Sequence, residues 1–326
     1  MSNLDISAPT SARSLIIGSH GQDGSYLSEN LHAHGHDVYG LSHDALEHGD
    51  ETFPAVDLGK PGDVGRLIED LHPDQVFFLV AYHQSAEDVP DAPGVVLEHS
   101  LETNTRYFIN VAEALRDHWP QGRLFYAASS HIFGMPNEVP QNETTAINPI
   151  DAYGISKATG VFICRHYRER HGLFASAGIL YNHESPRRLP TFAVRKIVCA
   201  AIRIQMGEAK ELVVGDLGAT VDWGYAPDYV DAMRLILELD QPDDFIVATG
   251  AAHSIQALIE IVFEELDLPA ATPVRENPGL LTKHNPSNPL IGDAGKLTAM
   301  TGWRPRTDLR GIISSIIDAE RAAHEC

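Results

Sequence analysis

Near its N-terminal end the chain runs from Leu15-Ile16-Ile17 straight into Gly18-Ser19-His20-Gly21-Gln22-Asp23-Gly24, followed by Ser25-Tyr26-Leu27. This pattern predicts a strand, a glycine turn and a helix start, with GxxGxxG spacing. Small residues there let the backbone approach a pyrophosphate, and the helix N-terminus favours its negative charge. Glycine spacing alone is a weak signal, and a purely structural turn would also tolerate it. Position gives it weight, because the loop closes the first strand of the chain. Gly18, Gly21, Gln22, Asp23 and Gly24 are therefore candidate cofactor-binding residues. Gly21 would allow close access to phosphate, and Gly24 tight packing of helix on strand.

The remaining chain extends this start into a fold class. Short apolar runs alternate with longer amphipathic stretches, which argues for α/β. Leu15–Gly18, Val38–Leu41, Val76–Ala81 and Leu124–Ala128 read as buried parallel strands. Ser25–His34 and Thr105–His118 read as helices, with later strands at Ala175–Tyr181 and Phe245–Thr249. The expectation is a Rossmann-type parallel sheet with helices on both faces and a smaller C-terminal substrate-binding domain. Proline and polar residues thicken after Asn182. Residues 12–180 are accordingly assigned mainly to dinucleotide binding, and 181–326 mainly to substrate binding, with some segments returning to the sheet.

Charge and cysteine usage narrow the partners. Lys and Arg number 24 against 45 Asp and Glu, a formal charge of -21. That argues against a nucleic-acid polymer or an anionic membrane as partner, while leaving room for one anionic ligand in a local site. Cys164, Cys199 and Cys326 have no metal-ligand spacing and suit a reducing compartment. No stretch has the length of a membrane span. The opening MSNLDISAPTSARS lacks an apolar signal core and reads as a polar tail. A cytoplasmic location is expected. His32, His34 and His36 have no acid cluster beside them, so no metal site is expected.

The end of the second strand, Gly40-Leu41-Ser42-His43-Asp44, bears on cofactor choice. An acid there would accept the ribose hydroxyls of NAD; an arginine would meet the phosphate of NADP. Ser42 is neither, and His43 suits either cofactor, so NAD and NADP both stay open. Asp57 is a candidate for the adenine edge, with a surface turn as the plain alternative.

The candidate chemical centre is Asp151-Ala152-Tyr153-Gly154-Ile155-Ser156-Lys157. Tyr153 and Lys157 stand at i,i+4 and share a helix face. An ammonium near a phenol favours phenolate, and it also suits the nicotinamide ribose. Both residues thus join the catalytic and cofactor-binding candidates. Tyr153 could take a hydroxyl proton as hydride leaves for a nicotinamide, or give one in reverse. A lone YxxxK is usually surface helix; this one follows a glycine loop and the strand end Ala127-Ala128-Ser129-Ser130-His131. Ser129 could donate to the reacting oxygen, with Ser130 competing. His131 has three readings: a base, a ring beside the cofactor, or a structural histidine. Asn182, Arg187, Arg188, Arg195 and Lys196 are substrate-binding candidates that could equally be fold support. Trp223 reads as packing before base stacking.

Taken together, GSHGQDGSYL, AASSHIFG, YGISK, GILYNHESPRR, FAVRKI, DWGYAPDYVDAM and VATG resemble the GDP-mannose 4,6-dehydratases of the extended short-chain dehydrogenase/reductases. The resemblance runs from about Arg13 to about Pro305 and is most specific between Gly178 and Gly250. It implies oxidation of C4 of GDP-mannose, loss of water across C5 and C6, and return of hydride to C6. It implies a tightly bound, recycled nicotinamide, with a GDP-linked hexose as ligand. Tyr153 would be the C4 hydroxyl base, Lys157 its partner, and Ser129 the residue at the family Ser/Thr position. Asn182, Lys196 and nearby basic residues would hold the sugar nucleotide.

The departures are informative. His131 stands where the family has the glutamate of the elimination step. Arginines after the second strand and before Asp222 are missing, and the arginine-rich loop that reaches a neighbouring subunit is short. A homodimer is expected in place of a tetramer. Thr282-Lys283-His284-Asn285-Pro286 replaces the family RPxE pattern, with Lys283 a remaining phosphate contact. The alternatives are a C4 dehydrogenase, 4-keto reductase or epimerase without dehydration, and a non-catalytic cofactor-binding protein.

Overall fold

The computed structural model describes residues 11–83, 91–280 and 288–323. The polar tail over residues 1–10, Lys283 and Cys326 lie outside the described residues.

Strand β1 (Arg13–Ile17) is buried throughout. Leu15 and Ile17 pack into one core cluster and Ile16 into another, as the two-residue period of a strand requires when both faces are covered. Helix α1 (Gln22–Ala33) follows the glycine loop and leads to β2 (Asp37–Leu41), which pairs parallel with β1. Next come β3 (Ala45–His48) and β4 (Glu51–Pro54), an antiparallel hairpin at the sheet edge. Helix α2 (Pro61–Leu71) crosses to β5 (Gln75–Phe78), on the other side of β1. Helix α3 (Pro93–Leu101), a π-helical turn at Glu102–Arg106 and α4 (Tyr107–His118) lead to β6 (Arg123–Ser129). Helix α5 (Ala152–His171) then leads to β7 (Ala175–Leu180).

The chain next leaves the sheet through β8 (Asn182–Glu184), α6 (Ala193–Gln205), β9 (Leu212–Val214) and β10 (Thr220–Tyr225). It returns by α7 (Ala226–Glu238) and β11 (Asp244–Val247), then builds β12 (Ala252–Ser254), α8 (Ile255–Glu265) and β13 (Val274–Glu276). Helices α9 (Gly295–Thr301) and α10 (Leu309–Ala323) follow. The main sheet has the order β11-β7-β6-β5-β1-β2-β3-β4, parallel except at the β3–β4 edge.

This is the Rossmann-type α/β fold expected from the sequence, with a smaller C-terminal domain. On one face, α2, α4 and α5 cover the sheet through Leu67, Val111 and Val161. On the other, α1 and α7 cover it through Leu27, Val230 and Met233. A third cluster joins α6, α8 and α10 through Ile197, Leu258 and Ile312. Each such side chain contributes about 1.5–3 kcal/mol on burial. Trp223, 4% exposed, packs in this third cluster.

The hairpin is a departure from the sequence reading. Leu46 is the one buried residue in its two strands, so no apolar alternation announces it. The helix expected from Thr105 is also divided. It starts at Tyr107, after a π-helical turn that buries Asn104.

Candidate active site

The glycine loop is shaped by contacts that leave no room for side chains. Gly18 has φ +100, which favours glycine, and its N–H donates to Leu41 O at 2.8 Å. A Cβ on Gly24 would sit 2.2 Å from Gly18 O, so α1 rests directly on the loop. Gly21 caps α1 without a side-chain hydrogen bond. The first N–H groups of α1 therefore remain for an anion. The loop opens on a cavity of about 840 Å³. Glycine backbone, an uncapped helix N-terminus and the buried wall of β6 fit a dinucleotide, with its pyrophosphate at the loop.

Helix α5 presents Tyr153 and Lys157 to this cavity. Lys157 is 1% exposed and donates from Nζ to Ala127 O at 2.7 Å. Burial lowers its pKa to about 7, opposed by Asp23. Burial raises Tyr153 to about 12, while Arg188 and Ser129 pull the other way. Desolvation thus outweighs the opposing Asp23 charge at Lys157, and the Arg188 charge and Ser129 hydrogen bond at Tyr153. Ser129 lines the cavity; Ser130, 3% exposed, is not part of its lining.

His131 follows β6 in a short 3₁₀ turn and lines the same cavity. Its Nδ1 lies 3.1 Å from Asp151 Oδ2, and its ring stands 5.5 Å from that of Tyr153. His83 completes a triangle of rings, 4.7 Å from Tyr153 and 6.3 Å from His131. It also stacks on Phe192 at 5.7 Å. Its neighbour Tyr82 is held by Asn104, whose side chain also donates to Ser156 Oγ at 2.9 Å. The π-helical turn thereby ties the His83 segment to α5.

A second polar group joins the glycine loop to β8. His183 Nε2 lies 2.9 Å from Asp23 Oδ1, and Nδ1 lies 2.7 Å from Tyr181 O. Both ring nitrogens face acceptors, so both carry protons. Burial opposes this charge, but the Asp23 carboxylate, its hydrogen bond and the Tyr181 carbonyl hold the His183 pKa above its ordinary value. Burial likewise opposes ionisation of Asp23, yet His183 leads the interactions that bring its pKa down. Gln22 donates to His183 O at 3.2 Å and accepts from Ser185 at 2.8 Å.

The basic candidates separate in space. Asn182, Arg187 and Arg188 line the cavity. Arg188 stacks on Phe192 at 3.6 Å, and its Nε is 3.8 Å from Glu184. Its side chain makes no hydrogen bond among the described residues. Arg187 stacks on Tyr26 at 3.9 Å and pairs with Glu29. Arg195 and Lys196 lie outside the cavity lining. Arg195 pairs with the buried Glu320 and donates to Arg188 O at 2.7 Å, so it braces the loop from behind. Burial lowers the Lys196 pKa. His43 has a fully exposed side chain in the β2–β3 turn, beside Asp44. Asp57 accepts from Gly59 N at 2.9 Å and pairs with Lys60. Neither His43 nor Asp57 lines the cavity.

Three residues that position the site, of which only His83 lines the cavity, escape the sequence reading. Asp151 carries a readable signal as an N-cap residue ahead of α5, but nothing local ties it to His131. His83 and Asn104 sit in segments without periodicity, and only packing brings them to Tyr153 and Ser156.

The chain matches the GDP-mannose 4,6 dehydratase family over residues 15–316. It is 33% identical to GDP-mannose 4,6 dehydratase 2 of Arabidopsis thaliana, over 94% of this chain and 86% of that protein. It is 34% identical to a GDP-mannose 4,6-dehydratase of Vibrio cholerae, over 78% and 72% of the two chains. Its fold is shared with RMD from Pseudomonas aeruginosa complexed with NADPH, at 21% identity and TM-score 0.82, covering 96% and 100% of the chains. UDP-glucose 4-epimerase of Thermus thermophilus, in complex with NAD, matches at 26% identity and TM-score 0.77 over 95% and 99%. The chain belongs to the GDP-mannose 4,6-dehydratase family of the extended short-chain dehydrogenase/reductases, NAD(P)-dependent enzymes that modify sugar nucleotides.

Proposed function

We propose that this enzyme is a sugar-nucleotide 4,6-dehydratase that acts on GDP-mannose or a closely similar GDP-linked hexose. The observation that carries the reading is Ser129, Tyr153 and Lys157 on the wall of a cavity that begins at the glycine loop. Ser129 and Tyr153 hold the C4 hydroxyl, and Tyr153 in its phenolate form takes its proton. Bound NAD(P) supplies the hydride acceptor for C4 and the hydride donor for C6. Lys157 orients the nicotinamide ribose, and the backbone at Gly18 and Gly21 receives the pyrophosphate.

Oxidation at C4 acidifies the C5 proton. His131, at the position of the family glutamate, removes that proton and passes it to the departing C6 hydroxyl. C5 then regains a proton, and the net change is loss of one water. Either NAD or NADP would serve, and because hydride is returned the bound cofactor would be recycled. Asn182, Arg187 and Arg188 contact the sugar nucleotide, with Arg195 supporting their loop. Ile155 and Phe162 on α5, with Val95 on α3, give a homodimer an exposed apolar face.

A second reading, C4 oxidation, reduction or epimerisation without elimination, draws on His131 in place of glutamate. A panel of sugar nucleotides followed by mass spectrometry separates the two. Loss of water without net cofactor consumption is expected for the dehydratase. A two-mass-unit change with matching cofactor turnover, or altered stereochemistry at constant mass, would replace it with the second reading. His131→Ala should remove elimination and spare C4 hydride exchange; equal loss of both steps would deny His131 the acid/base role.

A further inference from the structure

We infer that Asp151 is a positioning residue that holds His131 as its Nδ1–H tautomer, so that Nε2 is the acid/base atom of the site. This rests on the reading of His131 as the base of the elimination step.

Asp151 is the N-cap of α5, with extended backbone at φ -130 and ψ 164. Its Oδ1 accepts from Gly154 N at 2.7 Å, the ordinary duty of an N-cap. A cap needs no second oxygen. Oδ2 nevertheless lies 3.1 Å from His131 Nδ1. An ionised carboxylate only accepts, so the proton of this bond belongs to Nδ1. The other ring nitrogen, Nε2, has no hydrogen-bond partner among the described residues, and the ring lines the cavity.

The backbone is built for this approach. A Cβ on Gly154 would lie 2.5 Å from His131 O, so the first turn of α5 rests on the His131 peptide. His131 N donates to Ser129 Oγ at 3.3 Å, which ties the same turn to the end of β6. One carboxylate therefore sets both the helix start that carries Tyr153 and the tautomer of the ring beside it.

The step balances without another reactant. Nε2 takes the C5 proton, and the C5–H electron pair becomes the C5=C6 bond as the C6–O bond breaks. The imidazolium gives its Nε2 proton to the leaving hydroxyl, which departs as water. Asp151 stays ionised throughout and stabilises the imidazolium through Nδ1–H, as an orienting carboxylate does for a catalytic histidine elsewhere.

The test uses Asp151→Asn in the cofactor-loaded enzyme with ¹⁵N-labelled histidine. The amide oxygen can still cap Gly154, which turns the NH₂ toward Nδ1 and drives the ring proton to Nε2. NMR should show Nδ1–H in the wild type and Nε2–H in the variant. C5 proton exchange with solvent should fall about 10²–10⁴-fold, with C4 hydride transfer within about threefold. Asp151→Ser keeps a capping hydroxyl and abandons His131; it should show the same selective loss. A wild-type Nε2–H tautomer, or elimination within about tenfold of wild type in both variants, would overturn the assignment. If the tautomer inverts but the wild type eliminates water from no sugar nucleotide, the positioning is supported and the dehydratase reading alone fails.

Discussion

His183 Nε2 meets the Asp23 carboxylate at 2.9 Å, joining the glycine loop to β8 across 160 residues of sequence. The imidazolium is held by a charge on one side and the Tyr181 carbonyl on the other. The glycine loop and β8 are thus joined by a part-buried ion pair. Its strength has a defined pH window. His183 has a raised pKa, so its contribution is complete below the unfolded value near 6.5 and is lost as pH rises through the folded value. Asp23 has a lowered pKa, so its contribution is present above the unfolded value near 3.8 and is lost as pH falls through the folded one.

Asp23→Asn should remove the carboxylate that offsets burial, and the His183 pKa should drop in an NMR titration. Losing this charge-assisted bond should cost about 1.5–3 kcal/mol. Urea unfolding of both proteins across pH should show that cost shrinking as His183 loses its proton. A cost independent of pH through the His183 titration would rule out a charged pair.

Tyr153→Phe should lower every C4 redox step by about 10²–10⁴-fold, because the phenolic proton carrier is gone. Cofactor affinity should change little, since the ring remains. Single-turnover absorbance of the reduced nicotinamide measures the step, and fluorescence titration measures the affinity. Near-normal turnover would remove Tyr153 from the chemistry.

Gly24→Ala should act in the opposite way. Its Cβ would press to 2.2 Å on Gly18 O, and backbone cannot yield cheaply there. We expect destabilisation of about 1–3 kcal/mol and weaker cofactor binding. Thermal unfolding with and without NAD(P) reads both effects; unchanged affinity would show that the loop does not hold the pyrophosphate.

If the proposed homodimer forms through this face, Phe162→Asp should dissociate it. Phe162 is 52% exposed and lies two turns from Ile155, itself 41% exposed. Burying such an aromatic anchor is commonly worth about 2 kcal/mol or more, so the dimer constant should weaken at least about tenfold. Sedimentation velocity checks it; an unchanged assembly would place the interface elsewhere.

The sequence by itself determined the parallel part of the main sheet, the glycine turn and the shared face of Tyr153 and Lys157. Those features are local: strand burial, helix spacing and the space a glycine leaves are set within a few residues. The edge hairpin was not legible, because Leu46 is its only buried residue. Tertiary structure alone decided which charges meet. It paired His131 with Asp151 and His183 with Asp23, and it turned Arg195 toward Glu320 while leaving Arg188 on the cavity. The protonation of a histidine, and the direction of an arginine, depend on partners far away in the chain. Only packing of the finished sheet and helices brings those partners within hydrogen-bond reach.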